Sequence, residues 1–346
     1  MKVLFLYTEL ADYIITCLKE LKRTGADIRV IHYPVNPEAP FNFNLEQEGY
    51  FTNIKSFETY EAFESACRDY AADKIVCSGW VNKWYVRFCS RNRKQTLNIL
   101  ALDNHWSGSL KQQLFRVVAP FTIGRIFRKV WVPGQPQVNY ARKLGFVSNR
   151  IASGFYCCDV HHFHNLYLEN QKSKAAGFPR RLLCVARYIP VKGYAQLWSA
   201  FIAWKSRYNN DWELWCAGTG EDFDKRVIHP SIRHLGFIQK DELERIIKDT
   251  GVFILASNSE PWGVAVHEYS AAGYPLVVSN HVGAASAFVN ESNGFLFNPD
   301  SEGEIVNALQ KLSELSDEQL IRMSEASSHL ALSITPEKWA STVWQL

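Results

Sequence analysis

The sequence predicts an α/β protein with two consecutive doubly wound parallel sheets, and three observations lead to this fold class. The chain has 346 residues, which is long for a single hydrophobic core. Short apolar runs alternate with helix-like amphipathic stretches from the first residues onward. The alternation is interrupted near 160–180 and then resumes. Alternating strands and helices form parallel sheets with helices on both faces, so we expect two such sheets.

The first half opens with a β-α-β unit. VLFLY is predicted to be a buried strand, and the following helix carries Ile14, Leu18 and Leu21 on one face. Gly25 ends this helix, and IRVIHY is the next strand. Further strands of the same sheet are predicted at three apolar runs, KIVCSG (74–79), LNILALD (97–103) and KVWVPG (129–134).

The second half repeats the pattern. Its predicted elements are the strands RLLCVAR, ELWCAG, IRHLGF, VFILAS and LVVSN and the helices 193–208, 240–249 and 263–272. The tail PEKWASTVWQL is predicted to be a last amphipathic helix headed by Pro336. The polar segment HHFHNLYLENQKSKAAGFP between the halves lacks periodicity and is predicted to be a surface linker.

Composition excludes several classes of protein. The net charge is only +3, without the concentrated basic surface of most nucleic-acid-binding proteins. Eight cysteines without CxxC spacing indicate buried, reduced thiols in a cytosolic protein and no metal cluster. The N-terminal apolar run is too short for a signal peptide, and no run reaches the ~20 residues of a membrane span.

Two glutamates border a predicted helix start in the second half. Glu260 lies just before the helix and Glu268 about one and a half turns inside it. The free amides near Gly263 and Val264 form an anion site of the kind that helix N-termini provide. Carboxylates accept hydrogen bonds from the hydroxyls of ribose or another sugar. The alternative is a dipole interaction for Glu260 and plain solvent exposure for Glu268.

A second element with a chemical pattern is ARYIPVKG, at the end of the strand RLLCVAR. Arg187 and Lys192 place two cations at a strand's carboxyl end, which suits a diphosphate. An ordinary basic loop is the alternative for this segment alone. The loop AGTGED (217–222) after the next strand has a common glycine pattern with little specificity.

Taken in order, ARYIPVKG, AGTGED, SEPWGVAVHEYSAAGYPLV and NGFLF resemble the donor-binding domain of retaining GT-B glycosyltransferases of family 4. The most specific motif is Glu-x7-Glu, and the resemblance covers about residues 130–346. It implies two Rossmann-like domains that face each other across a cleft, with the C-terminal helix packing back on the first. We expect an acceptor-side domain at 1–160, a donor-binding domain at 161–332 and a crossover helix at 333–346.

The resemblance also implies a role for each matched residue. Glu268 would hold the nucleotide ribose, and Glu260 would engage the donor sugar's hydroxyls. The donor diphosphate would be bound by Arg187 and Lys192, the helix-start amides of Gly263 and Val264 would assist, and Phe237 and Ile238 would lie near the base. The family needs no metal or other cofactor, because fixed cations act at the diphosphate, and its donor is most often a UDP- or GDP-sugar.

The sequence departs from the family pattern in both halves. Thr8 and Glu9 stand where the family has a Gly-Gly loop, and Ala287 stands where it has a glutamate. His105, after the strand LNILALD, matches a family histidine near the donor sugar, and a structural loop histidine is the alternative. Trp80, Trp84 and Trp106 are either core residues or platforms for sugar stacking, and these two interpretations stay open here.

The segment 110–131 mixes apolar residues with Arg116, Arg125, Arg128 and Lys129. It is interpreted either as an internal helix pair or as a surface that contacts an anionic membrane and a lipid-linked acceptor.

The sequence therefore predicts a retaining, metal-independent glycosyltransferase of the hexosyltransferase class. It would be cytoplasmic, with peripheral contact at the inner face of the membrane under the second interpretation of 110–131, and would act in cell-envelope polysaccharide or glycolipid synthesis. The alternatives are a sugar-nucleotide epimerase of the same fold and a catalytically silent protein that binds nucleotide-sugars.

Overall fold

A computed structural model describes residues 1–34 and 45–346 of the chain. The chain divides into two compact units, each with its own sheet and core. The first unit contains Met1–Asp159 together with Ile334–Leu346, and the second contains Val160–Ser333.

The first unit contains a parallel sheet of seven strands among its described residues, in the order β3-β2-β1-β4-β5-β6-β7. These strands are β1 (Lys2–Tyr7), β2 (Asp27–His32), β3 (Phe51–Asn53), β4 (Lys74–Ser78), β5 (Leu97–Ala101), β6 (Lys129–Trp131) and β7 (Ile151–Ala152). Its first helices are α1 (Asp12–Arg23), α2 (Tyr60–Tyr70), α3 (Lys83–Asn92), α4 (Leu110–Val118), α5 (Ile123–Ile126) and α6 (Gln135–Lys143).

The second unit contains a parallel sheet of six strands within the described ranges, in the order β10-β9-β8-β11-β12-β13. Its strands are β8 (Arg181–Val185), β9 (Glu213–Ala217), β10 (Ile232–Gly236), β11 (Val252–Leu255), β12 (Leu276–Ser279) and β13 (Gly294–Phe297). Its helices are α7 (Val160–Ala176), α8 (Tyr194–Arg207), α9 (Lys240–Asp249), α10 (Val264–Ala271), α11 (Ala285–Phe288), α12 (Glu302–Ser313) and α13 (Asp317–Ala331). The last helix of the chain, α14 (Pro336–Gln345), belongs to the first unit.

Side chains of one strand enter cores on both faces of each sheet, as a doubly wound fold requires. In β1, Val3 and Phe5 join the core that α1 and α14 cover, whereas Leu4 and Leu6 join the core under α2 and α3. The C-terminal helix α14 therefore packs against α1 on the first unit, as predicted. Its Trp339 is 1% exposed and belongs to the core on this face of the sheet. All eight cysteines are buried thiols.

The predicted linker after residue 160 is wrong, because this segment forms the seventeen-residue helix α7. Val160, Phe163 and Leu166 are buried on one side of it, and α7 contacts α10 and α13. His164 of this segment lies with its Nδ1 2.8 Å from the hydroxyl oxygen of Ser328 in α13. A single line of apolar residues among polar ones is a weak periodic signal, and the helix is stabilised by its packing.

The helix α4 is not an internal helix, since each of its side chains is partly or fully exposed. Leu114 and Val117 are 73% and 65% exposed, and Phe121 beyond the helix is exposed as well. The inner side of α4 contributes Phe115, whose ring stacks on Trp80 at 5.3 Å between centroids. The other two tryptophans of this region, Trp84 and Trp106, are partly buried against the same core. In the described ranges of the chain, the helices are all too short or too polar to cross a membrane.

Candidate functional site

The second sheet has a topological switch point between β8 and β11. The chain builds outward from β8 through β9 and β10, then returns to the other side of β8 with β11. The two loops that leave β8 and β11 at their carboxyl ends therefore diverge to opposite sides of the sheet. In doubly wound sheets the crevice between such loops is the ligand-binding position. Both chemical elements singled out from the sequence, ARYIPVKG and NSEPWG, lie in these two loops.

The loop after β8 lies directly on the end of β11. Gly193 has φ +69°, and a Cβ atom there would approach the carbonyl oxygen of Ala256 to 2.0 Å, so the position requires glycine. The amide of Asn258 donates to the carbonyl of Val191 at 2.9 Å, and its side-chain amide donates to that of Pro190 at 3.3 Å. This packing fixes Lys192, the residue just before Gly193, at the switch point.

The loop after β11 is held by the segment that follows β12. The amide of Glu260 donates to the carbonyl of His281 at 3.2 Å, and the amide of Gly283 donates to the carbonyl of Glu260 at 3.0 Å. The ring of His281 adds a contact from Nδ1 to the carbonyl of Asn258 at 3.0 Å. The backbone of Glu260 is thus fixed on both sides.

Lys192 and Glu260 form an ion pair between Nζ and Oε2. Their side chains are only 18% and 14% exposed, so each charge is largely removed from water. The pair joins the loop after β8 to the loop after β11 across the switch point. Arg187, earlier in the loop after β8, is exposed on the same edge of the sheet. Two cations and a carboxylate therefore lie at the edge of the sheet where the crevice is expected.

The helix α10 begins beside this ion pair. Gly263 is its N-terminal cap, with φ +90°, and a Cβ atom there would lie 3.0 Å from Cγ of Glu260. The first amides of a helix lack acceptors in a preceding turn, and in α10 this applies to Val264, whereas the amide of Val266 donates to the carbonyl of Gly263 at 3.0 Å. Glu268 lies on the second turn and is half-buried, while Tyr269 stacks on Phe253 of β11 at 4.3 Å and anchors the helix.

The remaining two residues predicted for the second unit follow β10. Phe237 and Ile238 are half-buried in the short loop between β10 and α9. The AGTGED loop lies between them and the loop after β8, since the amide of Tyr188 donates to the carbonyl of Thr219 and that of Asp222 to the carbonyl of Tyr188, both at 2.9 Å. The structure thus brings together eight of the nine predicted residues at one edge of the second sheet.

His105 is the ninth predicted residue, and it lies in the first unit, after β5. It is half-buried, and its carbonyl accepts a hydrogen bond from the side-chain amide of Gln112 at 3.0 Å. The first sheet has its own switch point between β1 and β4, where the hydroxyl oxygens of Thr8 and Ser78 lie 3.2 Å apart. Thr8 thus occupies the switch point where the family pattern has glycine.

Sequence reasoning missed Asn258 and His281, which hold the loop around Glu260. The signal available for them was position, because both follow predicted strands, VFILAS and LVVSN, at the carboxyl end of the sheet. Nothing in the sequence indicated that Asn258 and His281 contact each other, because the contact depends on how the loops after β11 and β12 pack together.

The chain is similar to a protein family, to a curated relative and to solved structures. A model of the family described as "Glycosyl transferases group 1" matches residues 168–329. An uncharacterized glycosyltransferase of Methanocaldococcus jannaschii is 33% identical over 132 residues, which cover 35% of this chain and 33% of that protein. The chain thus spans about a third of the length of this curated relative.

Solved structures of other proteins resemble the whole chain, among them those of HepE and of a sucrose-phosphate synthase. The crystal structure of Anabaena HepE in complex with UDP has a TM-score of 0.78 at 16% identity and covers 100% of this chain and 99% of that one. Sucrose-phosphate synthase of Thermosynechococcus elongatus has a TM-score of 0.71 at 16% identity, covering 100% and 98%.

These findings define the class of protein: the chain has the GT-B fold of glycosyltransferases, as the sequence predicted. Residues 168–329, which match the model of the glycosyl transferases group 1 family, contain all eight clustered site residues.

Proposed function

We propose that the chain is a retaining, metal-independent glycosyltransferase of the family 4 type, which transfers a sugar from a nucleotide-sugar to an acceptor hydroxyl. The observation that carries this proposal is the arrangement at the second switch point. Arg187, the Lys192–Glu260 ion pair and the start of α10 with Glu268 lie together where a doubly wound sheet binds its ligand. Donor binding is thus assigned to the second unit and acceptor binding to the first.

The chemistry of these side chains fits the loss of a diphosphate leaving group. Arg187, Lys192 and the amides from Gly263 and Val264 onward supply positive charge to the phosphates, which is the role a metal ion has elsewhere. Glu268 and Glu260 accept hydrogen bonds from the ribose and from the transferred sugar, respectively. Phe237 and Ile238 border the base. The acceptor hydroxyl bonds to the anomeric carbon on the face from which the diphosphate leaves and gives its proton to that leaving phosphate, so the anomeric configuration is retained.

The donor we propose is a UDP- or GDP-sugar. UDP is the ligand in the similar structure of HepE. No cofactor takes part in the proposed reaction. His105 is assigned to the donor-sugar end of the reaction from the first unit.

A thermal-shift panel with UDP, GDP, ADP, CMP and dTDP tests the donor site. We expect one nucleotide to stabilise the wild type and Glu268→Ala to abolish the shift, whereas the exposed Glu325→Ala in α13 keeps it. Incubation of the matching nucleotide-sugar with acceptor then separates the functions. A glycosylated product supports transfer, an isomerised donor indicates an epimerase, and binding without turnover indicates a silent protein. Stabilisation by none of the nucleotides would contradict the proposal.

The acceptor side has a charge pattern of its own. Residues 104–158 contain no Asp or Glu, and their eight basic residues are Lys111, Arg116, Arg125, Arg128, Lys129, Arg142, Lys143 and Arg150. The exposed apolar side chains Leu110, Leu114, Val117 and Phe121 lie in the same segment. Exposed apolar residues among cations suit an anionic lipid surface. We therefore place the enzyme at the cytoplasmic face of the membrane, where a lipid-linked acceptor serves cell-envelope polysaccharide or glycolipid synthesis.

Sedimentation with vesicles tests this membrane contact. We expect binding to vesicles that contain phosphatidylglycerol and little binding to vesicles of pure phosphatidylcholine. Binding should weaken in about 0.5 M salt, because salt screens the attraction between surface charges. Val117→Ser should reduce binding, and Val147→Ser, an exposed valine of the first unit outside 110–131, should leave it unchanged. Equal binding by the two variants would contradict the assignment of the surface to this segment.

A further inference from the structure

Lys192 and Glu260 neutralise each other before any ligand arrives. Both side chains are more than four-fifths buried, and both backbones are fixed, that of Lys192 by packing on the end of β11 and that of Glu260 by the segment His281–Gly283. A largely buried carboxylate that loses its cation is strongly destabilised, because water does not replace the lost partner. A ligand that binds Lys192 in place of Glu260 must therefore also supply a new hydrogen-bonding partner for Glu260.

A free nucleoside diphosphate supplies a new partner for Lys192 only. Its phosphates attract the ammonium group but leave Glu260 without its cation and add negative charge close to it. A nucleotide-sugar brings the same phosphates together with sugar hydroxyls, which donate hydrogen bonds to the carboxylate. Only the second ligand replaces both halves of the ion pair.

We infer that the Lys192–Glu260 pair makes the site selective for nucleotide-sugar over free nucleoside diphosphate. This inference rests on the proposed function and deepens it. Once the sugar has been transferred, Glu260 loses its hydroxyl partner and competes with the remaining diphosphate for Lys192. The re-formed ion pair thereby promotes release of the nucleotide product. Glu260 acts on the diphosphate through Lys192 and is in this respect a positioning residue.

Calorimetric titration of four proteins tests the inference: the wild type, Glu260→Gln, Lys192→Met and the double variant. UDP and UDP-glucose are the first pair of probes, and the thermal-shift panel replaces the base if it selects another. Glutamine keeps the shape of Glu260 but releases Lys192. We therefore expect Glu260→Gln to bind UDP about tenfold more tightly, a change of about 1.4 kcal/mol, and UDP-glucose more weakly. In the Lys192→Met background the same substitution should no longer tighten UDP binding.

Lys192→Met alone gives a second test that does not need Glu260→Gln to fold. It removes a phosphate contact from both ligands and also the cost of breaking the pair, which both ligands otherwise pay. The two affinities should therefore change by about the same factor and keep the preference for UDP-glucose, whereas Glu260→Gln changes them in opposite directions. Asp317→Asn is the matched control, because it breaks another ion pair of the second unit, with Arg180, and should change neither affinity.

The outcomes separate the inference from the proposed function. If Glu260→Gln also tightens UDP binding in the Lys192→Met background, the effect is general charge repulsion. If Glu260→Gln changes the affinities for UDP and UDP-glucose by the same factor, the effect on the site is general. Either result overturns the inference while the donor site stands. A wild type that binds none of the nucleotides or nucleotide-sugars would overturn the proposed function, and the inference with it.

Discussion

Lys174 is a buried charge that the proposed chemistry does not use. It lies on α7, and its Nζ is 4.2 Å from the centre of the Tyr274 ring, without a hydrogen-bond partner among the described residues. Burial lowers the pKa of Lys174 from 10.5 to about 7. An unfolded chain returns this lysine to water and to its ordinary pKa, so the unfolded state binds more protons between pH 7 and pH 10.5.

The first prediction is that Lys174→Met stabilises the protein, most strongly at low pH. Below pH 7 the lysine is charged in both states, and the lowered pKa corresponds to a folding penalty of at most about 5 kcal/mol. As pH rises from 7 towards 10.5 the folded lysine is neutral, so the penalty declines. Urea unfolding at pH 6 and pH 9 should show a larger gain in the unfolding free energy at pH 6.

Lys172→Met is the matched control, since Lys172 is an exposed residue of the same helix. It should change the unfolding free energy by less than about 0.5 kcal/mol at either pH. A gain from Lys174→Met that is equal at pH 6 and pH 9 would mean that the lysine is not desolvated in the folded protein.

At the scale of elements, the loop between β8 and α8 depends on close contact with the end of β11. The second prediction is that Gly193→Ala breaks this contact, because its Cβ atom would overlap the carbonyl of Ala256 and its φ is positive. The expected loss is about 3 kcal/mol or more in the unfolding free energy, together with weaker nucleotide binding. Thermal unfolding with and without nucleotide measures both effects.

Gly177→Ala is the control for this substitution. At Gly177 a Cβ atom would meet no heavy atom within 4 Å among the residues that the structure describes. The change should therefore be close to neutral. A Gly193→Ala variant as stable as this control would show that the loop after β8 moves away from β11 without cost.

Element types were predictable where the apolar pattern is strong. The run VFILAS, the helix 240–249 and the tail from Pro336 all appear as predicted, at β11, α9 and α14. The helix α7 was missed because its apolar residues form a single line among histidines and lysines. The exposure of α4 was also not predictable, since sequence gives the amphipathic pattern but not whether another element covers the apolar face.

The site was predictable as a set of residue types but not as a set of contacts. Arg187, Lys192, Glu260 and Glu268 were found because their motifs occur in the order of the donor-binding domain that the sequence resembles, whereas each charged element alone also fits a structural role. Their pairing was not predictable, because 68 residues separate Lys192 from Glu260 and only the strand order brings them together. Whether His105 acts with them stays a prediction.

At the scale of the whole molecule, the first unit depends on the last helix of the chain. Trp339 of α14 is buried against Trp131 at 4.8 Å between ring centroids, and its indole NH donates to the carbonyl of Phe155 at 2.8 Å. The third prediction is that Trp339→Ala destabilises the first unit by about 3–5 kcal/mol, the usual cost of removing a buried tryptophan. Nucleotide affinity should be unchanged in the protein that remains folded, because the proposed contacts lie in the second unit.

Trp344→Ala provides the control on the same helix, because Trp344 is 41% exposed. Calorimetry should show a lower unfolding temperature for Trp339→Ala and a small change for Trp344→Ala. Equal destabilisation by the two variants would indicate that α14 contributes as a helix and not through its buried tryptophan.

The return of α14 also sets an order for synthesis on the ribosome. All residues of the segment 160–333 are synthesised before those of α14. Until then the surface around Phe5 and Trp131 that receives Trp339 stays open to solvent. Domains generally fold as units during synthesis, N-terminal ones first. In this protein the unit whose strands are made first is therefore the one that is completed last.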